Sequence, residues 1–101
     1  MGNFNCNSCG SLTSLIGAPK EVHGSFDCNT CVNLVSLEGA PKVIGGNFDC
    51  TYCSSLKSLK GGPQVVNGEF DCSYCNELES LEGEPKHCRS FRSDNCYKLK
   101  E

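Results

Sequence analysis

The sequence predicts a repeat solenoid, mostly β and turns with little helix, and three observations carry that expectation. Glycine recurs at 2, 24, 46 and 68, which sets a period of 22 residues. Phenylalanine (4, 26, 48, 70), two cysteines (6, 28, 50, 72 and 9, 31, 53, 75) and two leucines (12, 34, 56, 78 and 15, 37, 59, 81) fall into columns at that same period. A second glycine column (17, 39, 61, 83) and a proline column (19, 41, 63, 85) then break each unit before Val22, Ile44 and Val66 lead into the next.

The unit reads G-x-F-x-C-x-x-C-x-x-L-x-S-L-x-G-x-P-x-x-V. Its Phe and first Cys are two residues apart, so they share one face of a short extended segment and the residue between them points outward. The steps from Cys to Cys to Leu to Leu no longer alternate; they suit a coil that turns a corner and keeps its apolar side chains on the axis. Glycine and proline supply the bend on the far side, where a positive or a fixed φ is needed. One unit cannot bury its own Phe, Val and Leu. Stacked units can, at the roughly 4.8 Å spacing of parallel strands, and five coils give a rod roughly 24 Å long.

The whole chain, 1–101, reads as one domain, with repeats 2–23, 24–45, 46–67 and 68–89 and a degenerate cap over 90–101. In the degenerate fifth unit, counted from Pro85, Cys88 falls in the valine column, Phe91 comes one residue early, and Ser93, Cys96 and Leu99 take the first-Cys, second-Cys and Leu columns. Arg89, Arg92, Lys98 and Lys100 gather there, as suits a polar terminal cap.

The stretch V-x-G-x-F-x-C-x-x-C-x-x-L-x-x-L resembles the leucine-rich-repeat segment, with cysteine at the ladder position, and resembles still more the F-x-x-C-x-x-L units of short bacterial and phage repeat proteins. The resemblance implies a right-handed coil with a parallel sheet on its concave face, protein recognition on that face, and no catalytic residue. The chain departs from the family pattern between Val22 and Phe26, where the spacing is four and not three, so a bulge is expected at the start of the strand.

Composition narrows the function. The chain has no apolar run long enough to cross a bilayer, and a soluble, cytoplasmic protein with no membrane partner is expected. Nine Lys plus Arg against twelve Asp plus Glu give a net charge of -3, the wrong sign for a phosphate backbone, so no nucleic-acid partner is expected. His23 and His87 lie in unrelated columns and no Ser-His-Asp order repeats, so the chain is not expected to be an enzyme.

Ten cysteines leave three readings open. In the first, Cys6, Cys9, Cys28 and Cys31, and likewise Cys50, Cys53, Cys72 and Cys75, present stacked C-x-x-C thiolates to zinc or iron. In the second they are buried thiols of the core and no cofactor is needed; the last unit keeps Cys96 without a first-column cysteine, which suits independent ladder positions. In the third, cysteines in register in neighbouring coils, roughly 4.8 Å apart, are bridged as disulfides.

The outward sheet positions are Asn3, Asn5, Asn7; Ser25, Asp27, Asn29; Asn47, Asp49, Thr51; and Glu69, Asp71, Ser73. Stacking Asp27, Asp49 and Asp71 puts like charges side by side, at a cost in stability unless something offsets it. A basic protein segment is the natural counterpart and calcium the runner-up, which makes the three Asp with Asn29, Thr51 and Ser73 the candidate partner-binding residues. Tyr52 and Tyr74, between the paired cysteines, are a weaker candidate contact. The first unit starts almost at Met1, so its open edge is a candidate for end-to-end self-association. The leading expectation is therefore a non-enzymatic protein-interaction module, the alternative a metal-binding protein, and the third a structural, self-assembling repeat.

Overall fold

The computed structural model describes residues 2–99. Among them there is no helix, only turns and seven strands: β1 (Phe4–Asn5), β2 (Glu21–Val22), β3 (Phe26–Asp27), β4 (Val43–Ile44), β5 (Phe48–Asp49), β6 (Val65–Asp71) and β7 (His87–Arg92). All pair in parallel. One ladder runs β1-β3-β5-β6 and keeps Phe4, Phe26, Phe48 and Phe70 in register; the other runs β2-β4-β6 and aligns Val22, Ile44 and Val66. The two ladders meet in β6, which also carries β7. The molecule is a parallel β-solenoid with a repeat of 22 residues per turn, as the columns predict.

The extra residue before phenylalanine shows itself as a break in the strand in the early coils. His23 to Ser25 bend between β2 and β3, and the backbone N–H left without a ladder partner is taken by a side chain of the preceding coil. The Ser25 N–H donates to Asn3 Oδ1 (2.8 Å), that of Asn47 to Ser25 Oγ (3.0 Å), and that of Glu69 to Asn47 Oδ1 (2.9 Å). These oxygens fold back against the glycine of the following coil: a Cβ on Gly68 would collide with the Asn47 side chain and lie 2.9 Å from the Gly46 carbonyl oxygen. At Gly24, Gly46 and Gly68 the first glycine column is thus a packing requirement, whereas Gly2, in the first coil, has no such neighbour. A true register shift occurs only between β6 and β7, from Val66 to Glu69, where the fifth coil is one residue short and Phe91 still reaches Phe70.

Each corner has a local cause. Leu34, Leu56 and Leu78 donate their N–H to the carbonyl three residues back, at Cys31 (3.0 Å), Cys53 (3.1 Å) and Cys75 (3.1 Å), which produces the three-residue steps of the pattern. The next corner is closed by Ala40 N–H to Leu37 C=O (3.0 Å) and Gly62 N–H to Leu59 C=O (3.1 Å), with Gly39 and Gly61 at φ 95 and 83 in the third position of the turn. That position of a type II turn needs positive φ, which explains the second glycine column. The serine column caps the same corner: Ser36 Oγ accepts from the Glu38 N–H (3.3 Å) and Ser58 Oγ from the Lys60 N–H (3.4 Å).

The core is a set of ladders. Phe26, Phe48 and Phe70 are fully buried, and the five phenylalanines stack with ring centroids 5.0, 5.1, 5.1 and 5.2 Å apart. Leu34, Leu37, Leu56, Leu59, Leu78 and Ile44 are also sealed, whereas Phe4, Leu12, Phe91 and Leu99 in the end coils are half-buried. Stability in such an array is close to a sum over neighbouring interfaces, so position along the stack sets the cost of a deletion. Phe48→Ala is expected to lower the unfolding free energy by about 3–5 kcal/mol in urea denaturation, and Phe4→Ala, with one ring neighbour, by less than half as much. Equal losses would contradict the ladder.

Candidate functional site

The cysteines occupy the core, and their contacts run diagonally. The second-column thiols donate to the backbone carbonyl of the first-column cysteine one coil earlier: Cys31 Sγ to Cys6 (3.1 Å), Cys53 to Cys28 (3.3 Å), Cys75 to Cys50 (3.2 Å) and Cys96 to Cys72 (3.2 Å). This satisfies backbone carbonyls at the strand ends. All ten cysteines are free thiols; Cys9 is exposed, Cys6 and Cys88 are half-buried, and the other seven are buried.

The two thiols of one C-x-x-C therefore serve different coils. Among the described residues no three His, Cys, Asp or Glu side chains are grouped to hold a metal ion. The thiol-to-carbonyl bonds join residues 25 apart, or 24 in the short fifth coil, and not the in-register pairs 22 apart.

Ionisation is opposed at most thiols of this core, with Cys75 the exception, lowered first by its bond to Cys50. Burial, reinforced by Cys31 and Cys9, pushes the Cys6 thiol up to about 12. The hydrogen bond to Cys53 and then burial raise Cys28 well above the ordinary 9.0, and the bond to Cys75 and then burial do the same for Cys50. Thiols of this kind are poor nucleophiles.

The outward face carries the acidic column. Asp27 pairs in register with Asp49, and Asp49 with Asp71; the column ends in Asn5 on one side and Arg92 on the other. Each carboxylate caps its own turn. Asp27 Oδ1 accepts from the Asn29 N–H (3.0 Å) and side-chain amide (2.7 Å), Asp49 Oδ1 from the Thr51 N–H (2.9 Å) and hydroxyl (2.7 Å), and Asp71 Oδ1 from the Ser73 N–H (2.9 Å). Asn5 makes the same bond to the Asn7 N–H (2.9 Å). These donors offset the repulsion of stacked carboxylates, so the acidic column has a structural cause that column counting misses; the readable signal is Asp or Asn two residues before a turn donor.

Exposure along this face is uneven. Asp27, Asn29, Asp49, Thr51 and Asp71 are half-buried, not open. Ser73 departs from the expected exposure: it is 3 % exposed, because its hydroxyl accepts from the Asp94 N–H (3.0 Å) of the fifth coil. It supports the face and does not present a group to a partner.

The turn that follows each Asp passes through a left-handed residue: Ser8, Thr30, Tyr52, Tyr74 and Asn95 have φ between 57 and 63. Tyr52 and Tyr74 project from it as a stacked pair, with centroids 4.7 Å apart and rings 2° from parallel, and are 52 % and 40 % exposed.

Two of the basic residues of the last unit are drawn into pairs, Arg92 with Asp94 (2.6 Å) and Lys98 with Glu77 (2.9 Å), while Lys100 lies outside the described residues. At the other end Phe4, Cys6, Leu12, Leu15, Ile16 and Ala18 line an apolar hollow of about 220 Å³, with Ile16 70 % exposed. Among the described residues no helix is long and apolar enough to cross a membrane. Compared with protein-family models, curated proteins and solved structures, the chain matches none of them.

Two outcomes follow. Asp49→Ala is expected to cost about 1 kcal/mol of stability, because Thr51 loses its acceptor, whereas Asp49→Asn, which keeps an Oδ1 as Asn5 does, stays within about 0.5 kcal/mol in the same denaturation assay. The unfolded chain ionises its thiols near 9.0 while the fold holds Cys6 to about 12 and raises Cys28, Cys50 and Cys72; Cys75 alone is lowered, so on balance the folded state binds more protons at alkaline pH. Stability is full below about pH 9 and declines as the pH rises towards 12. Urea midpoints measured from neutral pH upward in a reductant should fall across that window, and a flat profile would show that the thiols are not held neutral.

Proposed function

We propose that this chain is a non-enzymatic protein-interaction module of leucine-rich-repeat character, cytoplasmic, which binds a basic protein segment on the concave face carrying Asp27, Asp49 and Asp71. The observation that carries the reading is the in-register carboxylate column itself. The turn bonds go to Oδ1 of each aspartate, so among the described residues Oδ2 is left for a partner's cation. The column's own end supports the choice of a cation: Arg92 of the fifth coil stands in register with Asp71, and its guanidinium is held further in its charged form by Asp94 first and by Asp71 and Glu69 beyond it. Charge-assisted bonds between guanidinium or ammonium groups and carboxylates are the strong polar contacts available to such a face. Ten unbridged thiols in a hydrogen-bonded core suit a reducing compartment.

The triple variant Asp27→Asn, Asp49→Asn, Asp71→Asn removes three charges and keeps the turn acceptors. A mixed lysine and arginine peptide is expected to bind the native chain in a salt-dependent manner and to bind the variant at least about tenfold more weakly by isothermal titration calorimetry. Unchanged affinity in the variant would place the binding face elsewhere.

A further inference from the structure

Tyr52 and Tyr74 are at odds with the backbone they stand on. Left-handed φ values of 61 and 63 disfavour a bulky side chain, and the same column holds Ser8, Thr30 and Asn95 in the other coils. Asparagine is the residue that tolerates this conformation, as Asn95 does here. Nothing in the core uses the two rings: they stand half-exposed against each other, and no hydrogen bond to either hydroxyl is found among the described residues. Their stack ends at Thr30 on one side and Asn95 on the other, both exposed, so each ring has one face covered by its partner and one turned towards a smaller neighbour.

The tyrosines are also tied to the acidic column. Asp49 and Tyr52 begin and end one turn, and Asp71 and Tyr74 the next, with the carboxylate bonded inside that turn. The pair thus offers flat aromatic faces beside a row of carboxylates in which no other cation than Arg92 stands in register. Two cationic side chains could meet that charge. Guanidinium is planar, weakly hydrated, and stacks on an aromatic face while its edge donates to a carboxylate; ammonium is compact, strongly hydrated, and gains little from a flat surface.

We infer that the Tyr52–Tyr74 pair makes this face selective for arginine over lysine in the bound segment, the guanidinium lying on the free ring faces with its N–H groups towards Asp49 and Asp71. This rests on the reading of the acidic column as a protein-binding face. The stacked rings set the choice of cation, and the carboxylates supply the attraction common to both cations.

The test uses fluorescein-labelled hexa-arginine and hexa-lysine peptides, titrated by anisotropy into the full chain. The native protein is expected to bind hexa-arginine about five- to tenfold more tightly than hexa-lysine. Tyr52→Asn with Tyr74→Asn, which relieves the backbone and should not lower the melting temperature, is expected to bring that ratio close to one while leaving hexa-lysine affinity unchanged. Tyr52→Phe with Tyr74→Phe keeps the rings and should keep the ratio. Equal affinities for the native protein, with both peptides weakened by the triple Asp→Asn variant, would overturn the arginine selectivity and leave the acidic face standing. A ratio that survives the double Asn variant would also overturn it. Failure of both peptides to bind the native protein would remove the acidic face, and the selectivity with it.

Discussion

Everything in this molecule depends on coil-to-coil registry at 22 residues. A single turn of the solenoid is too thin to bury its own backbone, so the N–H groups of Phe26, Cys28 and Thr30 are all satisfied by carbonyls of Asn47, Asp49 and Thr51 in the next coil, at 2.8 Å each. Once those bonds fix the spacing, each side chain meets the residue of its own column above and below. A residue suits a position only if it stacks on itself. Phenylalanine does so by lying flat, leucine and isoleucine by interdigitating, and glycine by having nothing to stack. A one-residue error would carry a unit's inward side chains to the outside, which explains why the short fifth coil absorbs its missing residue in a local shift before Phe91 rather than along its length.

The same logic explains which features the sequence discloses. Period, core columns, strand, corner and the absence of helix are legible because they are homotypic: they repeat the same residue type, and stacking demands that they do. The polar columns are harder to read, since their chemistry is side chain to backbone. Asn3, Ser25 and Asn47 differ in type yet perform one task, accepting the N–H freed by the strand break, and only the geometry of that break reveals it. The thiol contacts escape a column analysis for a related reason. Columns imply partners 22 residues apart, whereas the left-handed turn carries the second cysteine over a neighbouring strand end, so its partner is 25 residues away. Ser73 escapes because its cover comes from Asp94, in a unit whose sequence has drifted from the repeat.

A consequence for recognition follows from how much of the surface the fold itself uses. The asparagine, aspartate and serine columns all have turn or strand-break donors to satisfy, so what a partner could use is the oxygens those bonds leave over, Oδ2 in the aspartate column. A perfectly regular face has a further handicap: a bound segment shifted by one coil would find the same groups, and no single register would be preferred. Departures from the column are what break that degeneracy. In the left-handed column the change from Thr30 to Tyr52 and Tyr74, and back to Asn95, marks two coils out of five, against the preference of the backbone that carries them. In the acidic column Arg92 marks the end. On the proposed binding face the repeat would supply the charge and the spacing, and the exceptions to the repeat the position.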